Sequence, residues 1–375
     1  KAFDWTVPRE WNIRDAYVKD AKGRKVIDFQ RSNLHVAGYS LPIHRTISLD
    51  TLRSHLFTLP DRPEWVPHKT MYYQEGWGFC LSHRDYLGLE EGEYEVFIDS
   101  TLEDGSLTYG ELYLPGAEKG EVLISTHTCH PSLCNDNLSG IAVATMLAKE
   151  IGQAAHRLSY RFVFVPATIG SITWLALNED AVSRIRHGLV LTGLGDSGAF
   201  TYKCSRREDA DVDRAAVYAL KKSGEPFTVV GFDPFGYDER QYCSPGFNLP
   251  VGRLSRTLYG TYPEYHPSAD DLSFVDSKRL EQAAHVALQV IHVLEANQKY
   301  VNLSPKGEPQ LGRRGLYTSL FGEGERALLW VLNQSDGDYD LLEIAEKSGV
   351  SLGALRNAAE RLVSNNLLKV LPDDL

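Results

Sequence analysis

No run of about 18 apolar residues occurs anywhere in the 375-residue chain, so no helix of the kind that crosses a bilayer is expected. Cysteine is scarce. Cys80, Cys129, Cys134, Cys204 and Cys243 form an odd, scattered set that does not read as a disulfide framework, and reduced thiols are expected. Positive charge is also in deficit, with 39 Lys and Arg against 50 Asp and Glu and a net charge of -11. That balance argues against a chain built to hold nucleic acid or anionic membrane, and for a small-molecule or short-peptide partner. The amino end, Lys1-Ala2-Phe3-Asp4-Trp5, lacks the basic-then-apolar order of a secretory leader, which makes the cytoplasm the expected location. A start at Lys1 rather than a methionine predicts a segment upstream of this sequence. At this length and with a 43% hydrophobic share, two or three globular domains are expected. Internal repeats and low-complexity tracts are lacking as well.

The first hundred or so residues read as short strands and turns, with Gly23, Gly38, Gly76 and Gly78 among Tyr72, Tyr73, Trp77 and Phe79, a small β-rich module predicted over 5–105. From Glu121 the pattern changes. Val122-Leu123-Ile124-Ser125-Thr126 predicts a buried strand that feeds, through a polar loop, a helix from Gly140 to Ile151. Arg161 to Pro166 predicts a second buried strand, Ile172 to Leu177 begins another helix, and Leu189 to Thr192 gives a third strand. The alternation implies an α/β sheet flanked by helices, in a domain predicted over 106–310. An amphipathic helix is expected from Ser277 to about Gln298, followed by a linker at Ser304-Pro305-Lys306-Gly307.

The remainder, 318–375, predicts helices over Arg326–Leu332, Asp340–Ser348 and Ser351–Ser364 and a strand at Leu367–Leu371, the order of a winged helix-turn-helix. From Phe321 to Leu375 there are ten acidic residues against five basic, and the second helix of the motif offers only Arg356 and Arg361. A domain that neutralises phosphates needs a basic face, so packing or self-association is the expected role.

The densest cluster of candidate ligands runs from Ser125-Thr126-His127-Thr128-Cys129-His130 to Cys134-Asn135-Asp136-Asn137, where a strand ends and a helix begins. Ligands and metals gather at the carboxyl ends of strands in such sheets, and imidazole with carboxylate is a standard zinc set. The alternative for these residues alone is a satisfied histidine and a helix-capping aspartate. A second histidine, His266, lies in Tyr262-Pro263-Glu264-Tyr265-His266-Pro267-Ser268-Ala269-Asp270-Asp271.

Together these motifs resemble the zinc aminopeptidase superfamily of co-catalytic exopeptidases: His127, then Asn135-Asp136-Asn137-Leu138-Ser139-Gly140, then Asp196 in Gly193-Leu194-Gly195-Asp196-Ser197, then Tyr265-His266 with acids close behind. More closely, the chain resembles the bacterial aminopeptidase-like branch with an inserted β domain and a C-terminal winged helix. That likeness takes in Trp11-Asn12-Ile13, Asn33-Leu34-His35-Val36 and Gly38-Tyr39-Ser40. It implies that Asp136 bridges two metals, with His127 and Asp196 on one side and His266 and a glutamate on the other.

Two departures alter that expectation. Where the superfamily carries paired glutamates, this chain reads Pro166-Ala167-Thr168-Ile169-Gly170-Ser171. Without the ligand glutamate the second position keeps two protein ligands, which rarely hold zinc, so one ion on His127, Asp136 and His266 is expected, with Asp196 joining or orienting them. The missing base leaves Asp238 and Glu264 as candidates to take a proton, Asp238 having the alternative of a salt bridge with Arg240. Cys129 also stands where the superfamily has an aspartate that orients the imidazole, which leaves His130 and Cys134 as further candidates for the site.

Tyr237, Tyr242, Tyr262 and Tyr265 with Arg240, Arg253 and Arg256 suggest a pocket that stacks a planar or sugar-like group and clamps an anion, with Tyr237, Arg240 and Tyr265 foremost. The expected activity is zinc-dependent hydrolysis of an aminoacyl or acyl amide in a small metabolite or short peptide. The alternatives are a catalytically reduced zinc- or ligand-binding protein, or a regulator that reads through its winged helix.

Overall fold

The computed structural model describes residues 1–317 and 322–372, so the ends of the stretch assigned to the winged helix, at 318–321 and 373–375, lie outside the described residues. The chain divides into two compact units, Lys1–Asp213 with Gly224–His285, and Arg214–Ser223 with Val286–Leu375. No helix among the described residues is long and apolar enough to cross a membrane.

The first unit opens with a four-stranded antiparallel sheet of β1 (Glu10–Lys19), β2 (Lys25–Asp28), β3 (Ile43–Ser48) and β4 (Glu93–Glu103), in the order β2-β1-β4-β3. Sequence reading led to short strands here, but β1 and β4 run for 10 and 11 residues. They alternate inward and outward along their length, so Ala16, Val18, Val96 and Ile98 reach the core while charged neighbours face water.

A seven-stranded mixed sheet follows, built of β5 (Gly110–Leu114), β6 (Glu121–His127), β7 (Ser159–Val165), β8 (Ile185–Leu191), β9 (Phe200–Lys203), β10 (Phe227–Val230) and β11 (Val251–Ser255). Its order is β10-β9-β11-β8-β6-β7-β5, with β11, β8, β6 and β7 parallel in the centre. Every residue of β6 is buried, the mark of a central strand covered on both faces. Helices α1 (Ser139–Ile151) and α2 (Ile169–Leu177) follow β6 and β7. The core packs Leu123, Val163, Trp174, Val190, Tyr242 and Val251.

In the second unit, helices α3 (Glu323–Gln334), α4 (Leu341–Ser348) and α5 (Leu352–Ser364) pack on a three-stranded sheet of β12 (Lys299–Asn302), β13 (Asp336–Asp340) and β14 (Leu368–Val370). Asp340 caps α4 by accepting from the Glu343 amide, and Glu343 reciprocates to the Asp340 amide, so two otherwise orphaned donors are satisfied. Gly349 ends that helix at φ 70, a left-handed conformation that glycine takes without steric penalty.

Candidate metal centre

His127 is the last residue of β6 and is fully buried. Its Nε2 lies 2.7 Å from Asp136 Oδ1. Asp136 belongs to a distorted turn, Cys134–Leu138, in which Asp136 and Asn137 leave helical geometry before α1 begins. Two side chains hold that turn. Asp270 accepts hydrogen bonds from the amides of Asn135 at 2.5 Å and Asp136 at 2.8 Å. The amide of the Asn137 side chain donates to Thr126 Oγ1 and to the His127 carbonyl, while its Oδ1 accepts from Gly193 N. Gly140 lets α1 start against the end of β8, because a Cβ there would fall 2.5 Å from the Leu191 carbonyl.

His266 arrives from a different loop at φ 75, in the left-handed region that non-glycine residues seldom adopt. Its Nε2 stands 3.1 Å from Asp136 Oδ2, yet both atoms are buried without a hydrogen-bond partner. His130 Nε2 is 3.8 Å from the same oxygen. The rings of His68 and His130, and of His68 and His266, meet edge to face. Two overlapping groups of ligand atoms result, His127-His130-Asp136 and His68-His130-His266, each with all its atoms within 4.8 Å of one another.

Burial, opposed in part by Asp136, drives the His130 imidazolium down to about 3, and burial with the neighbouring His266 drives His68 down to about 4. Both rings are neutral at pH 7, with lone pairs available for a cation. Burial would raise the Asp136 carboxyl, but its contacts with His127 and His266 outweigh that and hold it well below the usual carboxylate range. An anionic carboxylate with an orphaned oxygen, an orphaned imidazole nitrogen and two neutral imidazoles fits a divalent metal of borderline softness.

His127, Asp136 and His266, the three residues read from the sequence as ligands, are thus brought together. Asp196 is not brought among them. Its Oδ1 accepts from Gly198 N and Thr257 Oγ1, and its Oδ2 accepts from Asn135 Nδ2, so the carboxylate braces the loop beside the ligand turn. His68 was not singled out in the sequence: a lone histidine in Trp65-Val66-Pro67-His68 carries no spacing signal, and only the chain path places it here. The His68 amide donates to the His266 carbonyl at 2.9 Å, which ties the two loops together.

Cys129 serves His130. Its Sγ lies 3.5 Å from His130 Nδ1 and 3.7 Å from the Ala167 carbonyl, and burial pushes the thiol up to about 12. The segment Pro166–Ser171 supplies no carboxylate, but Asp238 reaches it from another loop and accepts from Ser171 Oγ at 2.7 Å. Asp238 is fully buried, its Oδ2 is orphaned, and burial raises its carboxyl to about 6, with the nearby His127 pulling the other way. No Asp238–Arg240 ion pair forms among the described residues. Glu264 is half-buried and makes no hydrogen bond or ion pair among them.

Tyr237 stacks on His127 with ring centroids 5.0 Å apart, and Tyr265 stacks on His266 at 3.8 Å, so both flank the centre. Arg240 lies over Phe235 with its Nε unpaired. The other pocket residues read from the sequence have internal partners instead. Arg253 is buried against Glu239, Arg256 holds the Leu194 and Gly198 carbonyls, and Tyr242 is buried against Ser125.

A family described as a domain of unknown function (DUF4910) matches residues 1–297, and a winged helix-turn-helix family matches residues 298–370. A Clostridium acetobutylicum protein, provisionally named a polysaccharide biosynthesis protein with aminopeptidase-like domain, is 49% identical over 99% of this chain and 86% of its own length. A crystal structure from the same organism, provisionally named a peptidase, has 49% identity and a TM-score of 0.92 over 99% of this chain and 86% of that one. The zinc aminopeptidase of Bacillus subtilis is 14% identical with a TM-score of 0.55, covering 77% of this chain and 82% of its own, a likeness of fold. The chain therefore belongs to the DUF4910 family, and it joins an aminopeptidase-like α/β fold to a C-terminal winged helix.

Proposed function

We propose that the chain is a zinc-dependent amide hydrolase that acts on an aminoacyl or acyl amide in a small metabolite or short peptide. The observation that carries the reading is the pairing of two unpartnered metal-ligand atoms with an unpartnered carboxylate oxygen of a candidate base. Asp136 Oδ2 and His266 Nε2 face one another without hydrogen-bonding, and Asp238, raised to about 6, lies buried near His127 with a free oxygen. His127, His130 and Asp136 would hold a metal ion, with His266 at the free oxygen of Asp136 and His68 beside His130 and His266. Zinc, when bound there, supplies Lewis acidity to an amide carbonyl and to water.

The chain's own residues do the remainder. Asp238, ionised above about pH 6, accepts the proton of the attacking water and returns it to the leaving amine, the task of a carboxylate whose pKa lies near neutrality. Ser171 fixes Oδ1 of Asp238 and leaves Oδ2 free for that exchange. Tyr237 and Tyr265 hold the ligand imidazoles in place by stacking and wall the cleft against water. The acidic winged helix supports a role in packing or self-association.

Elemental analysis of the purified protein beside His127→Ala and His266→Ala, with turnover of a panel of aminoacyl amides and N-acyl compounds, tests the reading. About one zinc per chain is expected, lost in both variants together with hydrolysis. Bound zinc without turnover of any amide would favour the catalytically reduced reading that the absent glutamates of Pro166–Ser171 raise. Absence of metal from the parent protein would overturn the site itself.

A further inference from the structure

We propose that a cleft of about 460 Å³ between the N-terminal β module and the Pro166–Ile169 segment binds a neutral pyranose ring of the substrate, the ring of an N-acylated amino sugar. The inference rests on the amide hydrolase reading and names its substrate class. The volume falls in the range of small-ligand sites. Aromatic faces make one side of it. Trp11 and Tyr39 stack with centroids 5.9 Å apart and 16° between planes, Tyr39 leans on Tyr72 at 4.6 Å, and Trp5 packs on Tyr73 at 6.1 Å.

Trp5 is 49% exposed and Tyr73 60%, large rings left in water at one cleft. Their neighbours are held in place. The Trp11 indole donates to the Ser40 carbonyl at 2.9 Å and the Tyr73 hydroxyl to the Thr6 carbonyl at 3.1 Å, so little order is lost when a ligand stacks on them. Asn12, Ser106 and Thr108 add neutral polar groups.

The cleft is lined by one cation and one acid, Arg9 and Glu10, whose charges cancel. Glu10 accepts from Ser106 N and Asn12 Nδ2, and Arg9 sits 3.9 Å from Asp104. With no excess of either sign on its walls, the cleft favours a neutral ligand. A purely aromatic ligand would leave the polar groups unused. A sugar ring satisfies both sides, setting its C–H face on the aromatic rings and its hydroxyls on the polar groups.

The cleft also borders the metal centre. Ala167, part of its wall, accepts from Cys129 Sγ, and that thiol touches His130. A ring seated here would carry its N-acyl substituent on the Ala167 side of the cleft, the side that adjoins Cys129 and His130.

Calorimetry and saturation-transfer NMR on the whole chain and on His127→Ala, with N,N′-diacetylchitobiose, cellobiose and N-acetylphenylalanine amide as probes, test the assignment. Saturable binding of the disaccharides is expected in both proteins, with affinity about tenfold weaker in Trp5→Ala and in Tyr73→Ala, whose exposed rings can be removed without opening the core. Sugar binding without amide turnover would keep the cleft and remove the hydrolase reading. No saturable binding of either disaccharide, tighter binding of the aromatic amide, or unchanged affinity in both variants would overturn the proposal.

Discussion

Asp238 and His68 show what one residue can and cannot reveal in a sequence. Asp238 stood out as an acid near Tyr237, and its role becomes specific because burial raises its carboxyl to about 6 from an ordinary 3.8. The folded state then binds the proton more tightly than the unfolded chain, so the stability of the metal-free protein falls as pH rises from about 4 to about 6, and the deficit persists above that. Asp238→Asn removes the titration. It is expected to stabilise the metal-free protein at pH 7 by about 1–3 kcal/mol, with a gain that shrinks towards pH 4, while amide turnover falls about a hundredfold or more. Denaturant titrations at the two pH values, beside steady-state rates, check both signs. A bound divalent cation nearby would favour the carboxylate, so the acid limb of activity in the zinc form is expected below pH 6. His68, by contrast, could not be found from spacing: it comes from the β module, and only tertiary structure carries it to His130 and His266. His68→Ala is expected to weaken zinc binding about ten- to a hundredfold in chelator competition, and Asp196→Asn, whose carboxylate braces the ligand turn through Asn135, to weaken it about tenfold, the low end of what a supporting residue contributes.

Whole elements were legible where two-sided burial gives an unbroken apolar run, whereas the equally buried β11 is interrupted by Gly252 and Arg253. Strands β6, β7 and β8 read as apolar runs because both faces are covered, and their observed limits lie within a few residues of the expected ones. Strands β5, β9, β10, β11, β12 and β13 were not anticipated. They are four or five residues long, and β5 and β10 are largely exposed, so neither an apolar run nor a clean alternation marks them. Beside its backbone ladder to β7, β5 is tied into the sheet by an ionic network. Glu121, at the head of β6, is fully buried and accepts from Arg161 at 2.7 Å and Arg184 at 2.6 Å, while Arg161 also pairs with Glu111 on β5. Removing one partner of such a buried group leaves the other uncompensated. Glu121→Ala is expected to cost about 3 kcal/mol in a denaturant titration, whereas Glu118→Ala, which breaks a partly exposed pair with Arg157, costs under about 1 kcal/mol.

Across the whole molecule, composition bears most directly on partners, and the C-terminal unit is where that argument is sharpest. Its helices and the strand Leu368–Val370 lie close to where their periodicity puts them, because apolar spacing and caps such as Asp340 and Gly349 are local signals. A winged helix that reads DNA sets basic side chains of its second motif helix against phosphates and bases. Here the two arginines of α5 have other partners: Arg356 pairs with Glu360 at 2.9 Å and Arg361 donates to the Leu316 carbonyl at 3.0 Å. Ten acidic residues against five basic from Phe321 to Leu375 leave no field to attract a polyanion. With few cations to displace condensed counterions, the sequence-independent part of DNA affinity is expected to be small, and that part is largest at low salt. The whole chain is therefore expected to give no gel shift with a duplex of about 20 base pairs at about 50 mM salt, where a basic domain of the same fold would bind. A shift that fades steeply as salt is raised would show phosphate contacts, and would move the reading from an enzyme with a packing module to a sensor that reports through its winged helix.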